Sequence, residues 1–127
     1  MNLLLDTHAM LWFAAGDSLL SSKARDTIQD SETINYISTA SWWEIAIKLS
    51  LGKLKMKDPL ADFMARRIEE GFRILPIETE HLLEVAHLPF HHRDPFDRLL
   101  ICQALKENMP ICTMDKNFSN YNVNVLW

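Results

Sequence analysis

Glycine, proline and cysteine are scarce in this chain, with 3, 5 and 2 of them among 127 residues. The sequence contains no low-complexity tract and no internal repeat, so a disordered, collagen-like or solenoid protein is excluded. No hydrophobic stretch approaches the length that crosses a bilayer, and we expect no membrane association. The apolar run Leu3–Leu5 stops at Asp6 without a basic leader, so we do not expect a signal peptide. We expect one domain over residues 1–127.

Motifs of several common enzyme classes are also missing. The chain has no G-x-S-x-G elbow, no P-loop and no G-x-G-x-x-G fingerprint, which argues against serine-hydrolase, P-loop and dinucleotide chemistry. The five histidines lack zinc-type spacing, and Cys102 and Cys112 lack it as well. We therefore expect both cysteines to be buried free thiols of a cytoplasmic protein.

The net charge of −4 at pH 7 is unusual for a protein that binds nucleic acid. That objection weakens if several carboxylates form a metal site, because bound cations would offset their charge. Lysines cluster between positions 48 and 57, which is more often a solvated face than a binding site, although as a group they suit contacts with phosphate. The candidates for phosphate contact are Lys48, Lys53, Arg98 and His8.

Short apolar runs alternate with amphipathic stretches, a pattern typical of a parallel sheet wrapped by helices. The predicted strands are Asn2–Leu5, Ile34–Ser38, Arg73–Ile77, Pro110–Thr113 and Val123–Leu126. The predicted helices are Ala9–Ala14, Ser22 to about Asp30, Trp42–Leu51, Pro59 to Gly71, Thr79–Ala86 and Phe96–Lys106. Five short strands joined by helices predict an open, doubly wound α/β sheet.

Acidic residues collect where such a sheet binds ligands, beyond the carboxyl ends of its strands. Asp6 follows the first predicted strand directly, and Asp115 follows the fourth. Glu44 lies in the first turns of the helix after the second strand, and Asp97 lies in the first turn of the helix that leads into the fourth. We interpret Asp6, Glu44, Asp97 and Asp115 as the candidate catalytic residues.

Asp6 and Glu44 also have purely structural explanations. Asp6 could cap the following helix. Taken alone, this residue supports a role as helix cap and a role as metal ligand about equally. Glu44 fits a capping box with Ser41 and stands four residues before Lys48, a favourable spacing for a helical ion pair. Their position at the expected ligand-binding edge favours the functional interpretation.

The later acids are ambiguous in the same way. Asp94 precedes Pro95 and is an obvious helix cap, so we assign Asp97 to the site and leave an auxiliary role for Asp94 open. Asp115 resembles an ordinary turn residue. Thr113 is a candidate to orient the Asp115 carboxylate, and Thr7 is a further auxiliary candidate beside Asp6.

A cluster of carboxylates suits a hard divalent cation, which takes oxygen ligands and keeps several waters. We expect Asp6, Asp97 and Asp115 to hold Mg²⁺ or Mn²⁺, directly or through water, and Glu44 to help position metal or water.

A phosphatase of the haloacid-dehalogenase type is the first alternative function, since it also places an aspartate after its first strand. That enzyme needs a second aspartate two residues after the first, and His8 occupies this position.

Four fragments in order resemble the PIN-domain ribonucleases, specifically the VapC-type toxins of prokaryotic toxin–antitoxin pairs. They are Leu3-Leu4-Leu5-Asp6-Thr7-His8 with Leu11-Trp12, Ser41-Trp42-Trp43-Glu44-Ile45-Ala46-Ile47-Lys48 with Leu51-Gly52-Lys53-Leu54, His92-Arg93-Asp94-Pro95-Phe96-Asp97-Arg98-Leu99-Leu100-Ile101, and Thr113-Met114-Asp115. The resemblance covers essentially the whole chain, and the family's four acids correspond by motif to Asp6, Glu44, Asp97 and Asp115.

The resemblance implies a three-layer PIN-like fold, whose five-stranded parallel sheet has the order 3-2-1-4-5. It also implies a Mg²⁺ or Mn²⁺ site, endonucleolytic cleavage of cellular RNA (tRNA, rRNA or mRNA), a homodimer and a cognate antitoxin protein. Trp12, Trp42 and Trp43 are candidates for the antitoxin groove and the dimer contact, and we expect at least one of Trp42 and Trp43 to be packed. The alternative is a PIN-like domain that binds RNA or a protein without cutting.

Overall fold

Five parallel strands form one sheet in the order β3-β2-β1-β4-β5 in the computed structural model, which describes residues 1–127. The strands are β1 (Asn2–Leu5), β2 (Ile34–Ser38), β3 (Arg73–Leu75), β4 (Ile111–Cys112) and β5 (Val125–Leu126). The predicted α/β class and the strand order 3-2-1-4-5 are confirmed.

Six α-helices flank the sheet, and none of them is long and apolar enough to span a membrane. They are α1 (Thr7–Ala15), α2 (Ser22–Gln29), α3 (Thr39–Ser50), α4 (Leu60–Glu69), α5 (Thr79–Val85) and α6 (Pro95–Glu107). A short 3₁₀ helix, Lys116–Asn120, follows β4 and was absent from the predicted elements.

The central strand β1 divides the core into two layers. Because successive side chains of a strand point to opposite faces, Leu3 and Leu5 join one apolar cluster while Leu4 joins the other. All three are completely buried, and each such side chain contributes about 1.5–3 kcal/mol through removal from water. β1 is therefore fixed on both faces, and so is the residue that follows it, Asp6.

β3, β4 and β5 are shorter than the sequence pattern predicts, and prolines account for the end of β3 and the start of β4. β3 ends at Leu75 because Pro76 has no amide hydrogen to continue the ladder. β4 begins after Pro110, whose carbonyl still accepts from Leu4 N at 3.0 Å. The sheet order is unaffected by this shortening.

The start of α3 corrects the prediction for the Ser41–Glu44 segment. Ser38 caps this helix by accepting from Ala40 N at 3.0 Å, so α3 begins at Thr39, three residues before the expected start. Ser41 lies inside the helix, and the capping box between Ser41 and Glu44 is wrong. Glu44 is consequently free of a backbone-capping role.

Candidate active site

A cavity of about 570 Å³ opens at the carboxyl end of β1. It gathers acids from four separate stretches of the chain, together with a single lysine. Its lining residues are Asp6, His8, Trp12, Glu44, Lys48, Asp94, Asp97, Met114 and Asp115. The four predicted catalytic acids therefore share one cavity, with Asp94 as a fifth.

Asp6 enters this cavity from the end of β1. Its backbone amide donates to Cys112 O at 3.0 Å, which extends the pairing of β1 with β4 by one residue. Its Oδ1 accepts from Ala9 N at 2.7 Å, so Asp6 also caps α1. Burial raises the pKa of Asp6, against lowering contributions from a Thr113 hydrogen bond, the Ala9 amide and His8. Asp6 thus caps α1 and lines the cavity at the same time.

Glu44 is held by one hydrogen bond and one ion pair. The Thr7 hydroxyl donates to Glu44 Oε1 at 2.8 Å and lies 3.0 Å from Ser41 Oγ. Lys48 Nζ lies 3.0 Å from Glu44 Oε2, as the spacing of four residues predicts. Both oxygens of the carboxylate are therefore engaged, and Glu44 is buried with a fixed orientation.

Asp94 and Asp97 lie in the first turn of α6. Asp94 Oδ1 accepts from Asp97 N at 2.9 Å, and Pro95 occupies the first helical position. Asp94 is thus the predicted cap, and it faces the same cavity as Asp97. Asp94 can therefore cap α6 and still be an auxiliary residue of the candidate site.

Asp115 follows β4 and caps the 3₁₀ helix by accepting from Asn117 N at 2.9 Å. Thr113 Oγ1 accepts from Asp115 N at 3.0 Å, so it fixes the backbone of this residue. The Thr113 side chain hydrogen-bonds the Asp6 carboxylate and lowers its pKa. The Thr113 side chain therefore contacts the Asp6 carboxylate rather than that of Asp115, and its auxiliary role stays a prediction.

Burial and mutual repulsion of charges both act on this group of acids. The pKa of Asp97 is raised from 3.8 to about 8, first by burial and then by the charges of Asp94, Asp115, Asp6 and Glu44. Buried carboxylates with such shifted pKa values are characteristic of active sites. Five carboxylates face one ammonium group, that of Lys48, which is already paired with Glu44.

The donor set fits a hard divalent cation. The candidate donors are all carboxylate oxygens, and five carboxylates line the cavity with one lysine. No group of three or more His, Cys, Asp or Glu side chains has the arrangement needed to hold a metal ion by itself. Magnesium usually takes one or two protein carboxylates and keeps several waters, so these acids suit an ion held partly through water.

The sequence profile of the PIN domain matches residues 3–124. The chain belongs to the PIN-domain family. It is similar to ribonuclease VapC22 of Mycobacterium tuberculosis, with 24% identity over 119 residues that cover 93% of this chain and 90% of that protein. The predicted resemblance to VapC-type PIN ribonucleases is confirmed.

Solved structures show the same PIN fold at low sequence identity. VapBC2 from Rickettsia felis, bound to a DNA fragment from their promoter, matches with a TM-score of 0.73 and 14% identity over 99% of this chain and 98% of that chain. A toxin–antitoxin complex from Klebsiella pneumoniae matches with a TM-score of 0.67 and 16% identity over 98% and 96% of the two chains. At these sequence identities, the two matches show a shared fold only.

The four residues predicted to contact phosphate lie in three different environments. Lys48 and His8 line the acidic cavity and a neighbouring groove, and Lys53 lies in that groove alone. Arg98 is only 4% exposed, and its guanidinium donates to Leu88 O, Pro89 O and the Tyr121 hydroxyl. The prediction that Arg98 contacts phosphate is wrong, because its donors are directed into the protein.

Cys102 and Cys112 are buried free thiols, as expected.

The tryptophans differ in exposure, and one of Trp42 and Trp43 is packed in the core, as expected. Trp42 is 5% exposed and packs edge-on against Phe63, whereas Trp43 is 58% exposed and packs against Phe96 with ring centroids 5.2 Å apart. Trp12 lines the acidic cavity and stacks with His8.

One residue beside the site is not among the predicted site residues. His92 places Nε2 3.3 Å from Asp97 Oδ2 and Nδ1 2.9 Å from the Tyr121 hydroxyl. The only feature of the sequence that points to His92 is its position at the start of the motif that contains Asp97. Tyr121, 29 residues away along the chain, gave no signal.

Proposed function

We propose that this PIN domain is a Mg²⁺-dependent endoribonuclease, the toxin of a toxin–antitoxin pair, which hydrolyses phosphodiester bonds in cellular RNA. The observation that carries the proposal is the single cavity in which Asp6, Glu44, Asp97 and Asp115 meet, with a strongly raised pKa at Asp97. The similarity to ribonuclease VapC22 supports RNA as the substrate.

A bound Mg²⁺ would supply an activated water and would offset charge that develops on the phosphate oxygens. Asp6, Asp97 and Asp115 would hold the ion, directly or through its waters. Asp6 suits this role because β1 and the Ala9 amide fix its position. Asp94 adds negative charge at the entrance of the cavity while it caps α6.

Glu44 would orient the attacking water. Thr7 and Lys48 each hold one of its carboxylate oxygens, so the carboxylate cannot rotate freely. Rigid placement of a base or orienting group reduces the entropic cost of reaching the reactive geometry. Lys48 can also approach a phosphate oxygen, since it is only partly buried and lines the cavity.

The RNA would leave the acidic cavity through a groove of about 800 Å³ that shares His8, Trp12 and Lys48 with it. Along residues 53–57 exposed lysines alternate with half-buried apolar residues. Lys53, Lys55 and Lys57 all line the groove, together with Leu54 and Met56 between them. This row of positive charge suits a phosphodiester backbone.

The other proposed partners are a cognate antitoxin protein and a second copy of the chain. The fold shared with the Klebsiella pneumoniae toxin–antitoxin complex supports the antitoxin. The exposed Trp43, packed on Phe96 close to the acidic cavity, is the candidate contact for a homodimer. The proposed location is the cytoplasm, where cellular RNA is available.

Cleavage of end-labelled RNA tests the proposed activity directly. We expect cleavage with millimolar Mg²⁺ or Mn²⁺, none with EDTA, and none by Asp97→Asn in the presence of metal. Asp26→Asn, an exposed acid on α2 outside the cavity, is the matched control and should cleave like the unmodified protein. RNA binding without metal-dependent cleavage would instead favour a non-cleaving PIN-like domain.

A further inference from the structure

Four nitrogen atoms surround the Tyr121 hydroxyl, close to the acidic cavity. The backbone amides of His91 and His92 lie 3.2 Å from the oxygen, and Arg98 Nη1 also lies at 3.2 Å. The fourth is His92 Nδ1, at 2.9 Å. The first three can act only as donors, whereas an imidazole nitrogen can be a donor or an acceptor.

This arrangement determines which nitrogen of His92 carries the proton. The hydroxyl oxygen accepts from the surrounding N–H groups, so its own hydrogen needs an acceptor, and His92 Nδ1 is the acceptor in reach. A hydrogen on Nδ1 would direct a fourth donor at the same oxygen and leave the hydroxyl hydrogen without a partner. The proton of the neutral ring is therefore on Nε2.

Nε2 faces the proposed active site. It lies 3.3 Å from Asp97 Oδ2, and its N–H can donate to that oxygen. The ring itself is held by edge and tilted contacts with Tyr121 and Phe118, and Phe118 is completely buried. His92 thus joins a rigid part of the core to one oxygen of a candidate metal-binding carboxylate.

Arg98 anchors the loop that carries His92. Its guanidinium donates to Leu88 O at 3.0 Å and to Pro89 O at 2.8 Å, and it stacks 3.9 Å from the centre of the Phe90 ring. Because Arg98 follows Asp97 on α6, the loop and the carboxylate are fixed relative to the same helix. This explains why an arginine with no access to substrate lies beside the site.

We propose that His92 is a positioning residue, which Tyr121 fixes as the Nε2–H tautomer and which holds the Asp97 carboxylate in its working orientation. The role in cleavage rests on the function proposed above. Hydrogen bonds of this kind to metal-binding groups typically affect activity or metal affinity about 10- to 100-fold.

Nitrogen-15 NMR of the histidine rings tests the tautomer independently of catalysis. With Mg²⁺ present, we expect His92 to give the shift pattern of a neutral ring protonated at Nε2, and Tyr121→Phe to convert it to a mixture of tautomers. A ring protonated at Nδ1, or at both nitrogens, in the unmodified protein would overturn the proposal.

Substitution of His92 tests the positioning. His92→Leu removes the donor, and we expect kcat to fall about 10- to 100-fold while KM for RNA changes less than about threefold. His92→Gln retains an N–H donor and should restore most of kcat. The matched control is His87→Gln, an exposed histidine outside the acidic cavity, which should behave like the unmodified protein. Equal loss in His92→Leu and His92→Gln would mean that only ring packing matters and would contradict the proposal.

The ¹³C shift of the Asp97 carboxyl carbon separates this proposal from the proposed function. We expect the Asp97 shift to move in His92→Leu and to stay unchanged in His87→Gln. If the unmodified protein does not cleave RNA, the proposed function fails, and an unchanged Asp97 shift in His92→Leu would then reject the positioning contact as well.

Discussion

The Thr7 hydroxyl donates to Glu44 Oε1 at 2.8 Å, and this contact joins the first turn of α1 to a residue of α3 that lines the acidic cavity. Thr7 directly follows Asp6, so one short segment places a candidate metal-binding carboxylate and orients a candidate catalytic one. The contact is buried, where a hydrogen bond to a charged group is strong.

Thr7→Val removes this donor and keeps the shape of the side chain. A hydrogen bond to a charged group contributes ~1.5–3 kcal/mol, which corresponds to a roughly 10- to 100-fold lower cleavage rate if Glu44 acts in the reaction. Thr7→Ser retains the hydroxyl and should keep most of the activity. Single-turnover cleavage rates of the two variants, with folding checked by circular dichroism, provide the comparison. Equal rates in Thr7→Val and the unmodified protein would show that the Thr7 contact does not position Glu44 for the reaction.

Asp97→Asn should change stability and activity in opposite directions. In the folded protein this carboxyl stays protonated up to about pH 8, because burial and neighbouring charges raise its pKa from 3.8 to about 8, and each pKa unit corresponds to ~1.36 kcal/mol of differential interaction. Asn is neutral without a bound proton, so the variant does not carry the free-energy cost of keeping this carboxyl protonated at neutral pH. We therefore expect a higher melting temperature without metal, together with a loss of cleavage of at least about 100-fold.

Calorimetry in EDTA and a cleavage assay in Mg²⁺ measure these two effects separately. A variant that is less stable than the unmodified protein in EDTA would contradict the repulsion argued for this cavity. A variant that is more stable but fully active would instead contradict the assignment of Asp97 to the reaction.

The pH dependence of stability follows from the same acid. Because the pKa of Asp97 is raised in the folded protein, the folded state binds more protons than the unfolded state between about pH 4 and pH 8. The stability that this group contributes is complete below its unfolded pKa of 3.8 and is lost as the pH rises through about 8. Asp6, whose pKa is also raised, acts in the same direction.

Urea unfolding across this pH range, in EDTA, isolates the contribution of Asp97. We expect the free energy of unfolding to decrease more steeply with rising pH in the unmodified protein than in Asp97→Asn. Identical slopes for the two proteins would show that Asp97 titrates normally in the folded state.

Mg²⁺ should stabilise the folded protein, since it offsets charges that repel one another. A ligand at 100 times its Kd adds ~2.7 kcal/mol of stability, which for a chain of this size raises the melting temperature by roughly 5 °C or more. Asp26→Asn should retain the shift, and Asp6→Asn should lose most of it. NaCl at equal ionic strength controls for screening. The absence of any shift at millimolar Mg²⁺ would count against the metal site.

Much of this site was predictable because the topology of a parallel sheet determines where strand ends meet. Asp6 and Asp115 follow adjacent strands, so their convergence required only the strand order. Asp97 and Glu44 were placed by the first turns of helices, whose ends are marked by caps such as Asp94. Local patterns were therefore sufficient for the acids.

The contacts between side chains were less predictable, because they depend on packing of distant residues. Arg98 is directed inward by carbonyl groups of a loop, and an arginine among acids has no sequence feature that distinguishes this from an exposed role. His92 depends on Tyr121, and Thr113 acts on Asp6 across the β1–β4 pairing. Such partners become visible only when the chain is folded.

The lysine row along the groove predicts how RNA binding responds to salt. Each contact between a lysine and a phosphate of single-stranded RNA contributes about 0.7 to the slope of log K against log salt. A triple substitution of Lys53, Lys55 and Lys57 by Gln should therefore reduce the slope of log K against log salt by roughly 2. We expect KM for RNA to rise and kcat to stay nearly unchanged. Lys23→Gln, an exposed lysine on α2 outside the groove, serves as the control. An unchanged salt slope in the triple variant would show that RNA follows a different path from the acidic cavity.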